Sequence, residues 1–157
     1  MANALYLENR IEEAITNYLK AVELNPRKVE AYYNLGNSHC NLNEYEEAIE
    51  YYVKAISYDP LHDPALYNLG YAYHRVGNLS QAIKSYKAGI QLNTKNPSPE
   101  CHFNLASALQ DNNQPEEALQ QFKISHRLDP QNIGCTLKIA GILREMYEKD
   151  QDKDKLL

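Results

Sequence analysis

Residues 32–60 read YYNLGNSHCNLNEYEEAIEYYVKAISYDP, and this stretch decides the fold. Gly36, Ala48 and Pro60 stand twelve residues apart within it. The same spacing returns along the chain. Ala14 to Pro26 repeats its second half, and Gly70 to Ala82 its first. Ala106, Ala118 and Pro130 give it again, with Ala in place of Gly. A pattern that returns in this way marks a repeat array, in which each unit buries its apolar face on its neighbours.

The segments between these marks have helical period. Ile11, Ala14, Ile15, Tyr18, Leu19 and Val22 fall on one helical face. So do Ala48, Ile49, Tyr52, Val53 and Ile56, and later Ala118, Leu119, Phe122 and Ile124. Asn9, Asn43, Gly77 and Asn113 share one register between paired helices. Gly and Asn best tolerate the left-handed conformation that ends a helix, so a turn is expected at each. Asp63-Pro64 and Ser98-Pro99 read as an N-cap followed by Pro at the first helical position, and Pro115 opens the helix after Asn113. Small residues pair off as Gly36 with Ala48, Gly70 with Ala82 and Ala106 with Ala118, where helices are expected to approach most closely.

Tyr32, Leu35-Gly36, His39, Ala48, Tyr52, Ala55 and Pro60 together resemble the tetratricopeptide repeat family. Leu66, Leu69-Gly70, Tyr73, Ala82, Tyr86 and Gly89 follow, with Thr94 where Pro is usual. His102, Leu105-Ala106, Leu109, Ala118, Phe122, Ser125 and Pro130 give a further repeat. The first repeat keeps Ala14, Tyr18, Ala21 and Pro26, and the last keeps Ile139, Ala140 and Leu143. The resemblance implies an all-α, right-handed solenoid of antiparallel helix pairs, helix A then helix B. Its expected divisions are a partial repeat at 1–28, repeats at 29–62, 63–98 and 99–132, and a final helix at 133–148. A charged tail at 149–157 is expected to be disordered. Only residues 2–7 stand for the first helix A, as in a piece of a longer array. The step from the third repeat to the fourth is 36 residues rather than 34, and the extra two fall in the loop around 94–99. That insertion reads either as a tolerated surface loop or as a change of superhelical twist.

Composition narrows the function. The 157 residues fit one domain, and no stretch reads as a linker between two cores. No apolar run reaches the length of a membrane span, and no basic region followed by an apolar run opens the chain. A net charge of −5 argues against a nucleic-acid partner, which needs a basic face. Cys40, Cys101 and Cys135 are odd in number, and the last two share the register of Ala31 and Ala65. Small buried thiols are the expected reading, in an intracellular, reducing, cytoplasmic setting.

No catalytic or metal-binding constellation emerges. The glycines follow the repeat register rather than a phosphate-binding loop. None of the five histidines pairs with a His or Cys at the spacing of a helical metal site. His39 and His102 are expected to pack. Glu46-Glu47 and Glu116-Glu117 open helices, where carboxylates favour the N-terminus. The expectation is no enzyme, no cofactor and no metal.

The resemblance places helix A of each repeat along a concave groove. Its exposed positions are then Tyr33, Asn34 and Asn37, next Tyr67, Asn68 and Tyr71, next Phe103, Asn104 and Ser107, with Lys138 on the final helix. Asn34, Asn68 and Asn104 are equivalent and resemble the Asn ladder of the O-linked N-acetylglucosamine transferase, which holds extended peptides. An Asn amide offers a donor and an acceptor, so it can satisfy a peptide backbone without reading the side chain beside it. The other reading is an unused residue common at this position in the family. Members that hold a C-terminal carboxylate use a clamp of Lys, Asn, Asn, Lys and Arg. Here Asn37 and Asn68 fit its two Asn positions, but Tyr33, Glu100 and Asn104 stand where the cations belong. A carboxylate needs charge-assisted donors, so that mode is disfavoured. A protein or peptide partner is expected, with no nucleic acid and no membrane. The alternatives are a scaffold joined through its terminal repeats, or a substrate-recruiting part of a larger enzyme. Self-association through Ile15 and Leu19 at the truncated first repeat is also expected.

Overall fold

The computed structural model describes the backbone of residues 2–96 and 98–154, with side chains over 10–96 and 98–151. Among them are eight α-helices and no strand. They are α1 (Ala2–Leu24), α2 (Val29–Asn41), α3 (Tyr45–Tyr58), α4 (Asp63–Arg75), α5 (Leu79–Leu92), α6 (Pro99–Asp111), α7 (Pro115–Leu128) and α8 (Ile133–Asp154). The fold is an all-α array of helix-turn-helix repeats, as the periodicity predicts. Within repeats α2 packs on α3, α4 on α5 and α6 on α7. Between repeats α1 packs on α2, α3 on α4 and α7 on α8.

Three of the four expected turns form. Asn43, Gly77 and Asn113 have φ of 61°, 79° and 55°. Each turn closes alike. Glu44, Asn78 and Gln114 N–H groups donate to His39, Tyr73 and Leu109 carbonyls at 2.9 Å. Asn43, Gly77 and Asn113 N–H groups donate to Cys40, His74 and Gln110 carbonyls at 3.0 Å. This paired bonding satisfies the last carbonyls of helix A and requires the left-handed residue. The turns between repeats use Asx chemistry instead. Asn25, Asp59 and Asp129 each accept through Oδ1 from the backbone N–H two residues on, with Pro26, Pro60 and Pro130 between.

The fourth expected turn is absent. α1 runs unbroken through Asn9. At the other end α8 runs to Asp154, past the expected end at 148. Residues 149–154 are therefore helical rather than disordered, and 155–157 lie outside the described residues. Tyr147 stands in the register of Asn43, Gly77 and Asn113, where a bulky residue disfavours the left-handed turn. Good helix formers follow it, with an i,i+4 pair of Arg144 and Glu148 at 3.8 Å.

Capping differs at one helix. Ser98 caps α6 as expected, its Oγ accepting from the Cys101 N–H at 3.2 Å, and Pro115 opens α7. For α4 the cap is His62 rather than Asp63, its Nδ1 accepting from the Ala65 N–H at 3.0 Å. Asp63 and Pro64 are the first helical residues, where a carboxylate faces the positive end of the helix.

The chain divides into two compact units, Met1–Leu92 and Asn93–Leu157, where the sequence reading expected one domain. The division falls at the loop that carries the two extra residues. In the first unit Leu35, Ala48, Tyr52, Ala55, Ala65 and Ala72 are buried together. In the second, Leu105, Ala106, Leu109, Phe122, Cys135 and Ile142 are buried. Ser125 is also buried there and donates to the Pro99 carbonyl at 2.8 Å.

The close approach inside each repeat is real, but its partner is aromatic. A Cβ on Gly36 would lie 2.5–2.8 Å from three Tyr52 ring carbons, and one on Gly70 2.8–3.0 Å from Tyr86. Ala48 and Ala82 are buried, but the atoms nearest those glycines are the tyrosine rings. The third repeat of this series carries Ala106 and Phe122.

Candidate functional site

In the first unit α2 and α4 lie side by side through polar contacts. Asn68 Nδ2 donates to Asn37 Oδ1 at 2.8 Å and to Tyr33 Oη at 3.3 Å. Tyr52 Oη, rising from α3, donates to the same Asn37 Oδ1 at 2.7 Å. Burial pushes the Tyr52 hydroxyl far above the ordinary phenol range, so it remains a donor. Two donors converging on Asn37 Oδ1 fix that amide. Its Nδ2 and the Asn68 Oδ1 make no hydrogen bond among the described residues. The pair thus presents one donor and one acceptor, the complement of a peptide group.

The expected ladder is changed by this arrangement. Asn68 pairs with Asn37, one helical turn on from Asn34. The Asn34 side chain has no hydrogen bond among the described residues, and its carbonyl accepts from Ser38 Oγ at 2.9 Å. Asn104 lies on α6 in the second unit. There Ser107 occupies the place of Asn37, and its Oγ bonds back to the Phe103 carbonyl at 3.0 Å. Lys138 Nζ donates to Gln110 Oε1 at 3.2 Å.

The three groove aromatics are half-buried rather than open platforms. Tyr33 leans on Tyr52 at 6.1 Å between centroids, Tyr67 on Tyr86 at 5.7 Å and Phe103 on Phe122 at 5.3 Å. One side of each ring is used within its own repeat. His62 covers part of Tyr33 at 4.9 Å.

Sequence reading missed the far end of the α2–α4 face. Arg75, the last residue of α4, donates to Tyr71 Oη at 2.7 Å and stacks on the Tyr45 ring at 4.4 Å. Tyr45 and Tyr71 meet edge to face at 6.2 Å. Among the described residues no carboxylate pairs with Arg75. Its bond to Tyr71 raises its pKa further, so the guanidinium stays charged. The helical spacing of Asn68, Tyr71 and Arg75 was the available signal. Cys40 is half-buried nearby, 3.5 Å from Tyr52 Oη. Burial pushes its thiol up, while Tyr52 and Arg75 pull the other way. Cys101 and Cys135 are buried in the small-residue slot, as expected.

His39 and His102 pack. His39 stacks on Tyr51 at 5.1 Å with Nδ1 2.7 Å from Glu44 Oε2. His102 is buried with Nδ1 2.8 Å from Gln121 Oε1. Among the described residues no three His, Cys, Asp or Glu side chains gather as a metal site requires.

Two family models match. One, described as TPR repeat, covers residues 2–42. The other, described as Tetratricopeptide repeat, covers 29–61 and 64–96. No curated protein sequence matches. Among solved structures, that of the MamA protein is similar at a TM-score of 0.84 and 21% identity, over 95% of this chain and 80% of that one. YrrB, a TPR protein with an unusual peptide-binding site, gives 0.75 and 22% over 85% and 68%. The first TPR of Spaghetti (RPAP3), bound to the HSP90 peptide SRMEEVD, gives 0.72 and 22% over 76% and 94%. Likeness at such identities carries the fold alone.

Proposed function

We propose that this chain, a tetratricopeptide repeat protein, is a protein-interaction module that holds an extended segment of a partner along the α2–α4 face of its first unit. The observation that carries this reading is the Asn37–Asn68 pair. Asn37 is oriented by Asn68 and Tyr52, Asn68 by Asn37 and Tyr33, and each amide keeps one unused group. An orientation fixed before binding lowers the ordering cost of holding a peptide backbone. Asn34 would extend such contacts along α2, and Arg75 would meet an acidic side chain at the end of the face; in the second unit Asn104 is proposed for the same kind of contact by itself. YrrB and the Spaghetti repeat, by their descriptions, bind peptides on the same fold, which favours this use. Thiols outside any disulfide at Cys40 and Cys135 fit a reducing intracellular setting, proposed with it. No catalytic role is proposed.

The test is to pan phage-displayed random dodecapeptides on the full chain and titrate the recovered peptides. Asn37→Ala and Asn68→Ala should each weaken binding roughly twofold to tenfold, the worth of a net hydrogen bond of about 0.5–1.5 kcal/mol. Recovery of no peptide, or undiminished affinity in both folded variants, overturns the reading. A scaffold joined through terminal repeats is the second reading, favoured by the open faces of α1 and α8.

A further inference from the structure

Three internal interfaces of this chain follow one rule. A small residue of helix A meets an aromatic of helix B sixteen positions on, Gly36 with Tyr52 and Gly70 with Tyr86, and Ala106 and Phe122 hold the same register. All six are buried. Beside the aromatic, helix B also buries Ala48, Ala82 or Ala118. Beside the small residue, helix A buries Leu35, Leu69 or Leu105.

The two end helices are halves of this same interface, and of opposite kind. α8 is a helix A by register, with Ile139 and Ala140 in the places of Leu105 and Ala106. It does not fold back into a helix B, because Tyr147 occupies the turn position and the helix continues to Asp154. Ala140 is accordingly exposed, Ile139 only half-buried, and Leu143 46% exposed where its counterpart Leu109 is buried. α1 from Ile11 onward is a helix B by register, with Ala14 and Tyr18 in the places of Ala48 and Tyr52. Among the described residues no helix A packs before it, and α1 runs straight through Asn9. Ala14 and Tyr18 are therefore half-buried, where Ala48 and Tyr52 are fully covered.

We propose that a second copy of this chain covers these faces, the α8 of one molecule packing on the α1 of the next as helix A packs on helix B. Ala140 against the next copy's Tyr18 then continues the series. Ala140 brings a methyl where Gly36 and Gly70 bring none, as Ala106 does, and Gly141 stands where α2 has Asn37. A Cβ there would meet nothing within 4 Å, and the glycine offers no acceptor to tether the incoming tyrosine. The two surfaces differ, so the contact is heterologous, and it leaves one α1 face and one α8 face open on every dimer.

Sedimentation velocity on the full chain tests this. The average sedimentation coefficient should rise steadily from low micromolar to millimolar concentration. Tyr18→Glu and Ala140→Glu should each abolish that rise. An equimolar mixture of the two variants should form a dimer and nothing larger, since one supplies an intact α8 face and the other an intact α1 face. Asn68→Ala should assemble like the parent, which separates this contact from peptide binding. If either variant loses its circular dichroism, Ala14→Glu or Leu143→Glu replaces it in the same mixture. A parent chain that stays monomeric throughout, single variants that assemble as the parent does, or a folded mixture that stays monomeric would each overturn the proposal.

Discussion

Tyr52 Oη donates to Asn37 Oδ1 across 2.7 Å, joining the buried interior of the second repeat to its polar face. The same ring lies where a Gly36 side chain would begin. One tyrosine therefore dictates a glycine by its edge and orients an asparagine by its hydroxyl. Ala106 and Phe122 hold the same register, both buried, with no hydroxyl to tether the ring.

Gly36→Ala should therefore destabilise by about 1–3 kcal/mol, because the tethered ring must shift. Gly89→Ala should stabilise by about 0.5–1 kcal/mol. Its Cβ would meet Leu66 Cβ and the Asp63 carbonyl at 3.6 Å, ordinary contact distance, inside α5. Urea midpoints of the two variants check the ranking. Equal midpoints would show that the Gly36 contact is slack.

Alkaline pH should unfold the chain through Tyr52 and Cys40. Burial raises both groups above their unfolded values. The native state then keeps protons that the unfolded state releases. Their stability is fully present below about pH 8.5 and declines as pH climbs through about 10 and beyond. Melting temperatures across this range should fall less steeply in Tyr52→Phe than in the parent.

Asn37 and Asn68 should be coupled in binding. Each orients the other, so the double Ala variant should lose less affinity than the two single losses added together. A double-mutant cycle on one recovered peptide measures the difference. Strict additivity would mean that the two amides act separately.

Arg75→Met should leave thermal stability within about 0.5 kcal/mol, since the guanidinium is at the surface. It should nevertheless remove any preference for Asp or Glu among peptides recovered by panning. Neutral peptides should bind the variant and the parent alike. An acidic preference that survives the substitution would assign the carboxylate to another cation.

His62→Ala should cost about 0.5–2 kcal/mol through loss of the α4 cap, and His62→Asn should restore most of it. Thermal melts of the pair decide whether the imidazole acts by capping or by its contact with Tyr33.

The repeat register was legible because it is a local, periodic property of the chain. Apolar spacing placed the helices, and Asn43, Gly77 and Asn113 announced turns that only a left-handed residue closes at low cost. Asn9 carried the same signal and makes no turn, since α1 runs through it as one helix and a single residue tolerant of the left-handed region permits a turn without requiring it. The candidate face was legible as a set of positions and no further. Sequence placed Tyr33, Asn37, Asn68 and Tyr71 on it, yet aligned Asn68 with Asn34 by register. Only the tertiary structure decided that Asn68 bonds to Asn37, and that Tyr52 and Arg75 complete the face. Register runs along one helix, whereas a hydrogen bond depends on how far two helices are offset and turned against each other. The large side chains between them set that offset, and no local pattern records it.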